Sequence, residues 1–126
     1  MGFMDGLLGN SSTISKEAAA EELADVLFPG EEVEQAYKII RDLIIFTSSR
    51  LILVDKQGIT GKKVEYHSIP YKSISHFSTE TAGTVDMDAE LKIYISSSET
   101  PIEKTFKKGN SIADVQKLLA YYICGK

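Results

Sequence analysis

Residues 41–80 contain the feature that most constrains the fold, a series of short apolar runs joined by only a few polar residues. The runs at residues 43–46 and 51–54 are each continuous, and a short polar turn separates them. Two apolar runs at this separation predict a β-hairpin. The centre of the chain is therefore predicted to form consecutive antiparallel strands.

Alternating polar and apolar side chains extend the strand pattern beyond this hairpin. Residues 91–95 alternate most regularly, and such alternation is typical of a half-buried strand. Further strands are predicted at residues 31–40, 64–68, 73–79 and 102–106. The total is about seven antiparallel strands with short links, which predicts two packed sheets or a partly open barrel.

A helix is predicted over residues 16–27, because Ser15 is a suitable N-cap for it. Leu23, Val26 and Leu27 belong to one apolar stripe along this helix. The stripe is narrow, so the helix must dock on another surface to persist. Two surfaces stay open for it, its own sheet and another subunit. In the second case these three residues are the subunit contacts.

A second amphipathic helix is predicted near the C-terminus. Ser111 is its candidate N-cap, and Asp114 follows three residues later as in a capping box. Its apolar residues recur at helical spacing and are Ile112, Val115, Leu118, Leu119, Tyr122 and Ile123. This one apolar face predicts a helix that covers one end or side of the sheet.

Composition and charge exclude several classes of protein. The chain of 126 residues suits one domain, and its formal net charge of −4 argues against nucleic acid as a general partner. Cys124 is the single cysteine, which suits a reducing cytoplasm. No stretch approaches the roughly 18 apolar residues of a membrane span. Residues 1–10 combine apolar side chains with glycines and are predicted either as a loose terminus or as a segment that contacts a subunit or a membrane.

Two motifs lie in the centre of the chain. One begins at Arg41 and reads R-D-(apolar)3-F-T-x-x-R-L-I-(apolar)2-D-x-Q-G, and the other begins at Ile69 and reads I-P-Y-x-x-I-x-x-F. Together they resemble the bacterial pleckstrin-homology-like domain family over residues 41–83. The resemblance implies a mainly β fold, a seven-stranded antiparallel β-sandwich or partly open barrel that a C-terminal α-helix caps. Together with the helix that Ser15 begins, this predicts an N-terminal segment and additional helix over residues 1–30 and the pleckstrin-homology-like domain over residues 31–126.

The resemblance also implies self-assembly into ring-like homo-oligomers, and it implies neither an enzymatic activity nor a cofactor. The predicted location is the bacterial cytoplasm. Pleckstrin-homology domains that bind phosphoinositides use basic residues beside a roomy loop between the first two strands. Here that joint is predicted at Ile40-Arg41-Asp42, which is short and includes an acidic residue. The inositol-lipid function is therefore not carried over.

The most basic part of the sequence is the connection that contains Lys56, Lys62 and Lys63. These lysines are candidate contacts for an anion or a membrane surface, or else solvated side chains that discourage pairing between sheet edges. His67 and His76 lie on different predicted strands, and neither has further ligands at metal-binding spacing. The sequence therefore predicts no metal site, and it contains none of the common catalytic or nucleotide-binding motifs.

Two main hypotheses follow. The first is a non-catalytic binding and assembly module of unknown ligand, which forms a ring-like homo-oligomer and offers a sheet edge to any other protein partner. The alternative is a peripheral domain that binds anionic phospholipid through Lys56, Lys62 and Lys63. A third hypothesis, an enzyme built from residues distant in sequence, requires a concave pocket with convergent polar groups.

Overall fold

The computed structural model describes residues 13–39, 42–57, 63–81, 88–107 and 112–125. Within these ranges, seven strands form two antiparallel sheets, and a C-terminal helix follows them. The predicted fold class is therefore confirmed. The chain divides into two compact units, one of residues Thr13–Pro70 and one that contains Tyr71 and the residues after it.

The first unit contains a four-stranded sheet. Its strands follow the chain in the order β1 (Val33–Ile39), β2 (Asp42–Thr47), β3 (Arg50–Gln57) and β4 (Lys63–Pro70). The predicted hairpin joins β2 to β3, and its strands are longer than the apolar runs that predicted them. One face of strands β1–β3 is buried and forms an apolar cluster: Val33, Ala36, Leu43, Ile45, Ile52 and Val54.

Helix α1 (Lys16–Glu22) packs on this cluster and mainly contacts β1. Ser15 caps it as predicted, since the Ser15 hydroxyl accepts a hydrogen bond from the Ala18 amide at 3.0 Å. Leu23 is fully buried in the same cluster, while Val26 and Leu27 are half-buried against it. The helix therefore docks on the sheet of its own chain. Whether its apolar side chains also contact another subunit stays a prediction.

The predicted length of this helix, to residue 27, is wrong. The α-helix ends at Glu22, and turns follow through Val26. Local hydrogen bonds tighten the chain at this end, since the Leu23 amide donates to the Ala19 carbonyl and the Ala24 amide donates to the Glu21 carbonyl, three residues back. Beyond these turns, the Val26 carbonyl accepts a hydrogen bond from Arg50 Nη2 at 2.8 Å, which joins the segment after α1 to β3.

The second unit contains a three-stranded sheet of β5 (Ile74–Thr81), β6 (Ala89–Ile95) and β7 (Ile102–Phe106), in that order. A short 3₁₀ turn, Tyr71–Ser73, precedes β5. Helix α2 (Ile112–Leu119) packs against β5 and buries Val115, Leu118 and Leu119.

The predicted apolar stripe of the C-terminal helix changes its geometry after Leu119. Residues Ala120–Cys124 form a π-helical turn. In this turn the Tyr122 ring stacks on the Tyr71 ring, with 4.5 Å between their centroids. The regular α-helical spacing predicted through Ile123 is therefore correct for the first two turns only.

Several predictions fall outside the described residues. They concern the N-terminal segment at residues 1–10, the joint residues Ile40 and Arg41, the candidate contact Lys62, and the Ser111 cap. The predicted boundary between residues 30 and 31 stays a prediction.

Candidate functional site

Thr47 organises the turn between β2 and β3. Its hydroxyl oxygen accepts hydrogen bonds from the amides of Ser49 and Arg50, at 3.1 and 3.0 Å. The hydroxyl donates to Glu31 Oε2 at 2.7 Å. A threonine at the start of a tight turn can satisfy turn amides in this way. The contacts explain the F-T-x-x-R part of the central motif, since threonine and arginine here are partners in one network.

Arg50 and Glu31 form a two-pronged ion pair within this network. Arg50 Nε donates to Glu31 Oε2, and Nη2 donates to Oε1, each at 2.8 Å. The Glu31 side chain is fully buried, whereas 21% of the Arg50 side chain is exposed. Such fork-to-fork geometry strengthens a hydrogen-bonded ion pair and fixes its orientation.

The remaining donors of Arg50 reach two other elements. Nη1 donates to the Ser68 hydroxyl on β4, and Nη2 also donates to the Val26 carbonyl after α1, both at 2.8 Å. The Phe28 amide donates to Glu31 Oε1 at 3.2 Å. One guanidinium therefore joins the segment after α1, the segment before β1, the hairpin and the edge strand.

These contacts lower the pKa of Glu31 from its ordinary value of 4.5 to about 2. The hydrogen bonds from Arg50 are the largest cause, and burial opposes them. They also raise the pKa of Arg50 above its usual value. The pair is therefore ionised at any physiological pH. Its polar atoms are directed at one another, so the arrangement is suited to holding the fold.

A groove lies between α1 and the sheet, towards the end of β3 that is away from Arg50. Its volume is about 250 Å3, and six residues line it: Ile14, Ala18, Glu22, Lys38, Leu43 and Lys56. Lys56 Nζ lies 3.3 Å from Glu22 Oε1, and Tyr66 donates a long hydrogen bond of 3.5 Å to Glu22 Oε2. The groove combines an apolar floor with a rim of two cations and one carboxylate.

The structure describes two of the three lysines that the sequence grouped together, and they lie on the neighbouring strands β3 and β4. Lys56 forms the ion pair with Glu22 and contributes to the groove. Lys63 begins β4 and is exposed. Lys62 lies outside the described residues. Their joint role as an anion or membrane contact stays a prediction.

Sequence reasoning missed Glu31 and Lys38. The Glu31–Arg50 pair spans 19 residues, and no local pattern marks Glu31 as buried. Lys38 reaches the groove because β1 pairs with β2 so that Lys38 lies opposite Leu43. Strand alternation from the buried Ala36 would have assigned Lys38 to the same face, but the imperfect pattern before residue 40 concealed it.

Other polar candidates lie apart from the groove. His76 stacks on Tyr94 with 4.2 Å between ring centroids, and Cys124 is exposed. Within the ranges that the structure describes, no group of three or more His, Cys, Asp or Glu side chains is arranged to hold a metal ion. No helix in those same ranges has the length and apolar character needed to cross a membrane.

Comparison with known proteins extends the similarity to almost the whole chain. A family model described as "Bacterial PH domain" matches residues 2–123. The uncharacterized protein YjqA of Bacillus subtilis (strain 168) is 66% identical over 121 residues, which cover 95% of this chain and 97% of that protein. Another uncharacterized protein of the same organism, YozO, is 33% identical and covers 89% of this chain and 96% of its own length.

Two crystal structures agree with this match. The pleckstrin homology domain from Shewanella amazonensis SB2B has a TM-score of 0.83 and 55% identity, with 97% of this chain and 98% of that chain covered. A DUF1696 family protein with a pleckstrin-homology domain from Shewanella loihica PV-4 has a TM-score of 0.77 and 50% identity, covering 91% and 98%. The similarity in sequence and in structure therefore extends over nearly the whole of this chain and of each of these two proteins.

Replacing Arg50 by methionine tests the buried pair. The Arg50→Met variant keeps an apolar side chain but leaves the Glu31 carboxylate buried without its cation. We expect the free energy of unfolding to fall by about 3 kcal/mol, measured by urea denaturation at pH 7 and one fixed protein concentration. The control is Lys56→Met, which breaks the more exposed pair with Glu22 and should cost less than about 1 kcal/mol. Equal losses of unfolding free energy in the two variants would contradict a special role for the ion pair between Arg50 and Glu31.

Stability should also depend on pH through Glu31. The pKa of this group falls from 4.5 to about 2 on folding, so its contribution is fully present above pH 4.5 and is lost as the pH falls towards 2. The difference corresponds to about 3 kcal/mol. Denaturation curves at several pH values should show a smaller loss of stability below pH 4.5 for Glu31→Gln than for the unaltered protein. If stability fell equally with pH in the variant and in the unaltered protein, Glu31 would not be the source of the pH dependence.

Proposed function

We propose that this chain, which belongs to the bacterial pleckstrin-homology domain family, is a non-catalytic binding and assembly module that self-associates into a ring-like homo-oligomer. The observation that carries the proposal is the edge strand β4. It is eight residues long, and Glu65, Tyr66, His67 and Ser68 are all exposed along it. Long exposed edge strands are templates for pairing with another chain.

The backbone of β4 is suited to such pairing. The Lys56 amide donates to the side-chain atom Asp42 Oδ1, so the backbone of Lys56 is directed towards β2. Neighbouring residues of an antiparallel strand direct their backbone groups to opposite sides. Asp55 therefore directs its backbone to its β4 partner, Glu65. By the same alternation, Glu65 bonds inwards and Tyr66 directs its amide and carbonyl outwards. In the part of the chain that the structure describes, no strand pairs with that outer side.

A ring needs two different surfaces that meet between neighbouring copies, since one self-complementary surface produces only a dimer. The three-stranded sheet has its own edges at β5 and β7, and either can supply the second surface. Val26 and Leu27, which stay half-buried, are a further candidate contact. The bacterial cytoplasm is the proposed location, because Cys124 is the only cysteine and no disulfide can form within the chain.

The solution mass and one edge variant test this proposal. Light scattering coupled to size exclusion should give a mass more than twice 13.9 kDa. Tyr66→Pro removes the outward amide of β4 and should lower that mass, because proline cannot donate a backbone hydrogen bond. The matched control is Tyr66→Ala, which removes the same ring but keeps the amide and should assemble more fully. Circular dichroism of each variant establishes that the fold is kept.

Three outcomes would contradict parts of the proposal. A monomeric mass for the unaltered protein would exclude self-association and leave the edge to a strand from a different protein. A dimeric mass would exclude a ring. An unchanged mass for folded Tyr66→Pro would exclude β4 as the subunit contact.

The alternative function is peripheral binding to an anionic phospholipid surface. Exposed Lys63 favours it, whereas the ion pair with Glu22 partly neutralises Lys56. If this function is correct, the protein should sediment with vesicles that contain phosphatidylserine, and 0.5 M salt should release it, because salt screens exposed charges. Lys63→Gln should weaken the binding, and Lys72→Gln, in the other unit, is the control. No sedimentation with anionic vesicles at low salt would exclude this function.

A further inference from the structure

The groove between α1 and the four-stranded sheet has the composition of a small binding site. Leu43, near the start of β2, forms part of its floor together with Ile14 and Ala18. Lys38 and Lys56 extend from β1 and β3, which flank β2 and its Leu43. An apolar floor with a few polar groups at its margin is typical of sites for small molecules.

The charges at the rim do not balance. Lys56 is paired with Glu22 at 3.3 Å. Among the described residues, Lys38 is in no ion pair, and its side chain is exposed. The rim therefore has one positive charge in excess of its single carboxylate. A ligand with one negative charge completes this balance, whereas a doubly charged phosphate would need more cations than the rim supplies.

The size of the groove restricts the ligand further. Its volume of about 250 Å3 lies just below the range of about 300–1,000 Å3 that is usual for drug-sized ligands. The occupant is therefore a small molecule or the end group of a larger one.

We propose that this groove binds a small apolar monocarboxylate. The apolar part lies on the floor formed by Leu43, Ile14 and Ala18, and the carboxylate accepts hydrogen bonds from the ammonium groups of Lys38 and Lys56. Glu22 competes with the ligand for Lys56 and repels its carboxylate. This inference is independent of the proposed assembly, because every lining residue comes from one unit of one chain.

Ligand-observed saturation-transfer NMR on the full chain tests the proposal and is suited to weak ligands and to assemblies of any size. The probes are hexanoate, as a free fatty acid, and N-acetyl-leucine, as a peptide C-terminus. Hexanamide is the neutral control. We expect at least one of the two carboxylates to bind more tightly than hexanamide. Tighter binding of hexanoate would indicate a fatty acid as the natural ligand, and tighter binding of N-acetyl-leucine would indicate a peptide C-terminus.

Charge variants with opposite expected effects locate the site. Lys38→Gln should weaken carboxylate binding about two- to fivefold, the effect expected of one exposed charge pair. Glu22→Gln should strengthen binding about two- to fivefold, because it releases Lys56 and removes a like charge. Lys72→Gln, which lies outside the groove, should leave binding unchanged. Thermal unfolding of each variant establishes that it is folded before binding is compared.

Several results would overturn the proposal. One is the failure of both carboxylates to bind, and another is equal binding of hexanamide and hexanoate. Unchanged binding in Lys38→Gln, or weaker binding in folded Glu22→Gln, would place the carboxylate elsewhere. None of these results depends on the solution mass, so a failure here is distinguishable from a failure of the assembly proposal.

Discussion

The first unit depends on one buried carboxylate. Glu31 is fully enclosed, and a buried carboxylate is unfavourable unless cations and donors surround it. Arg50, Thr47 and the Phe28 amide supply those partners. Their bonds are possible only when the segment after α1, the start of β1 and the β2–β3 hairpin are all in register. The ion pair therefore forms only when these three parts of the chain are all in place, and it favours one arrangement of them.

The strands could be predicted from the sequence because their information is local. Alternation at residues 91–95, and the paired runs at 43–46 and 51–54, depend on side chains a few positions apart. The ion pair of Arg50 with Glu31 could not be predicted, because Glu31 lies 19 positions away and has the sequence surroundings of a surface glutamate. The end of α1 was mispredicted because the apolar stripe continues through Leu27, although the chain leaves α-helical geometry after Glu22. The contact that holds the segment after the helix was also beyond any local signal, since the Arg50 donor to the Val26 carbonyl lies 24 positions along the chain.

The candidate sites show the same division between local and distant information. The sequence grouped Lys56, Lys62 and Lys63 by their closeness along the chain. Strand pairing instead joins Lys56 with Glu22 from the helix and Lys38 from β1 into one groove. The edge character of β4 likewise follows from sheet order, since a strand pattern shows that residues alternate but not which strand is last. The candidate sites therefore depend on strand pairing, which single-sequence patterns do not encode.

The two edges of the four-stranded sheet differ in one respect. At the β1 edge, the Ile14 amide donates to the Ala36 carbonyl at 3.1 Å, and Thr13 forms an isolated bridge with Tyr37. The chain thus blocks the middle of β1 with its own backbone, whereas no strand among the described residues pairs with the outer side of β4. A sheet whose edge is blocked at one side can add further strands at the other side only. Because the β1 side is blocked, this sheet can add a neighbouring strand only along β4, and an unlimited fibre cannot grow through this sheet alone.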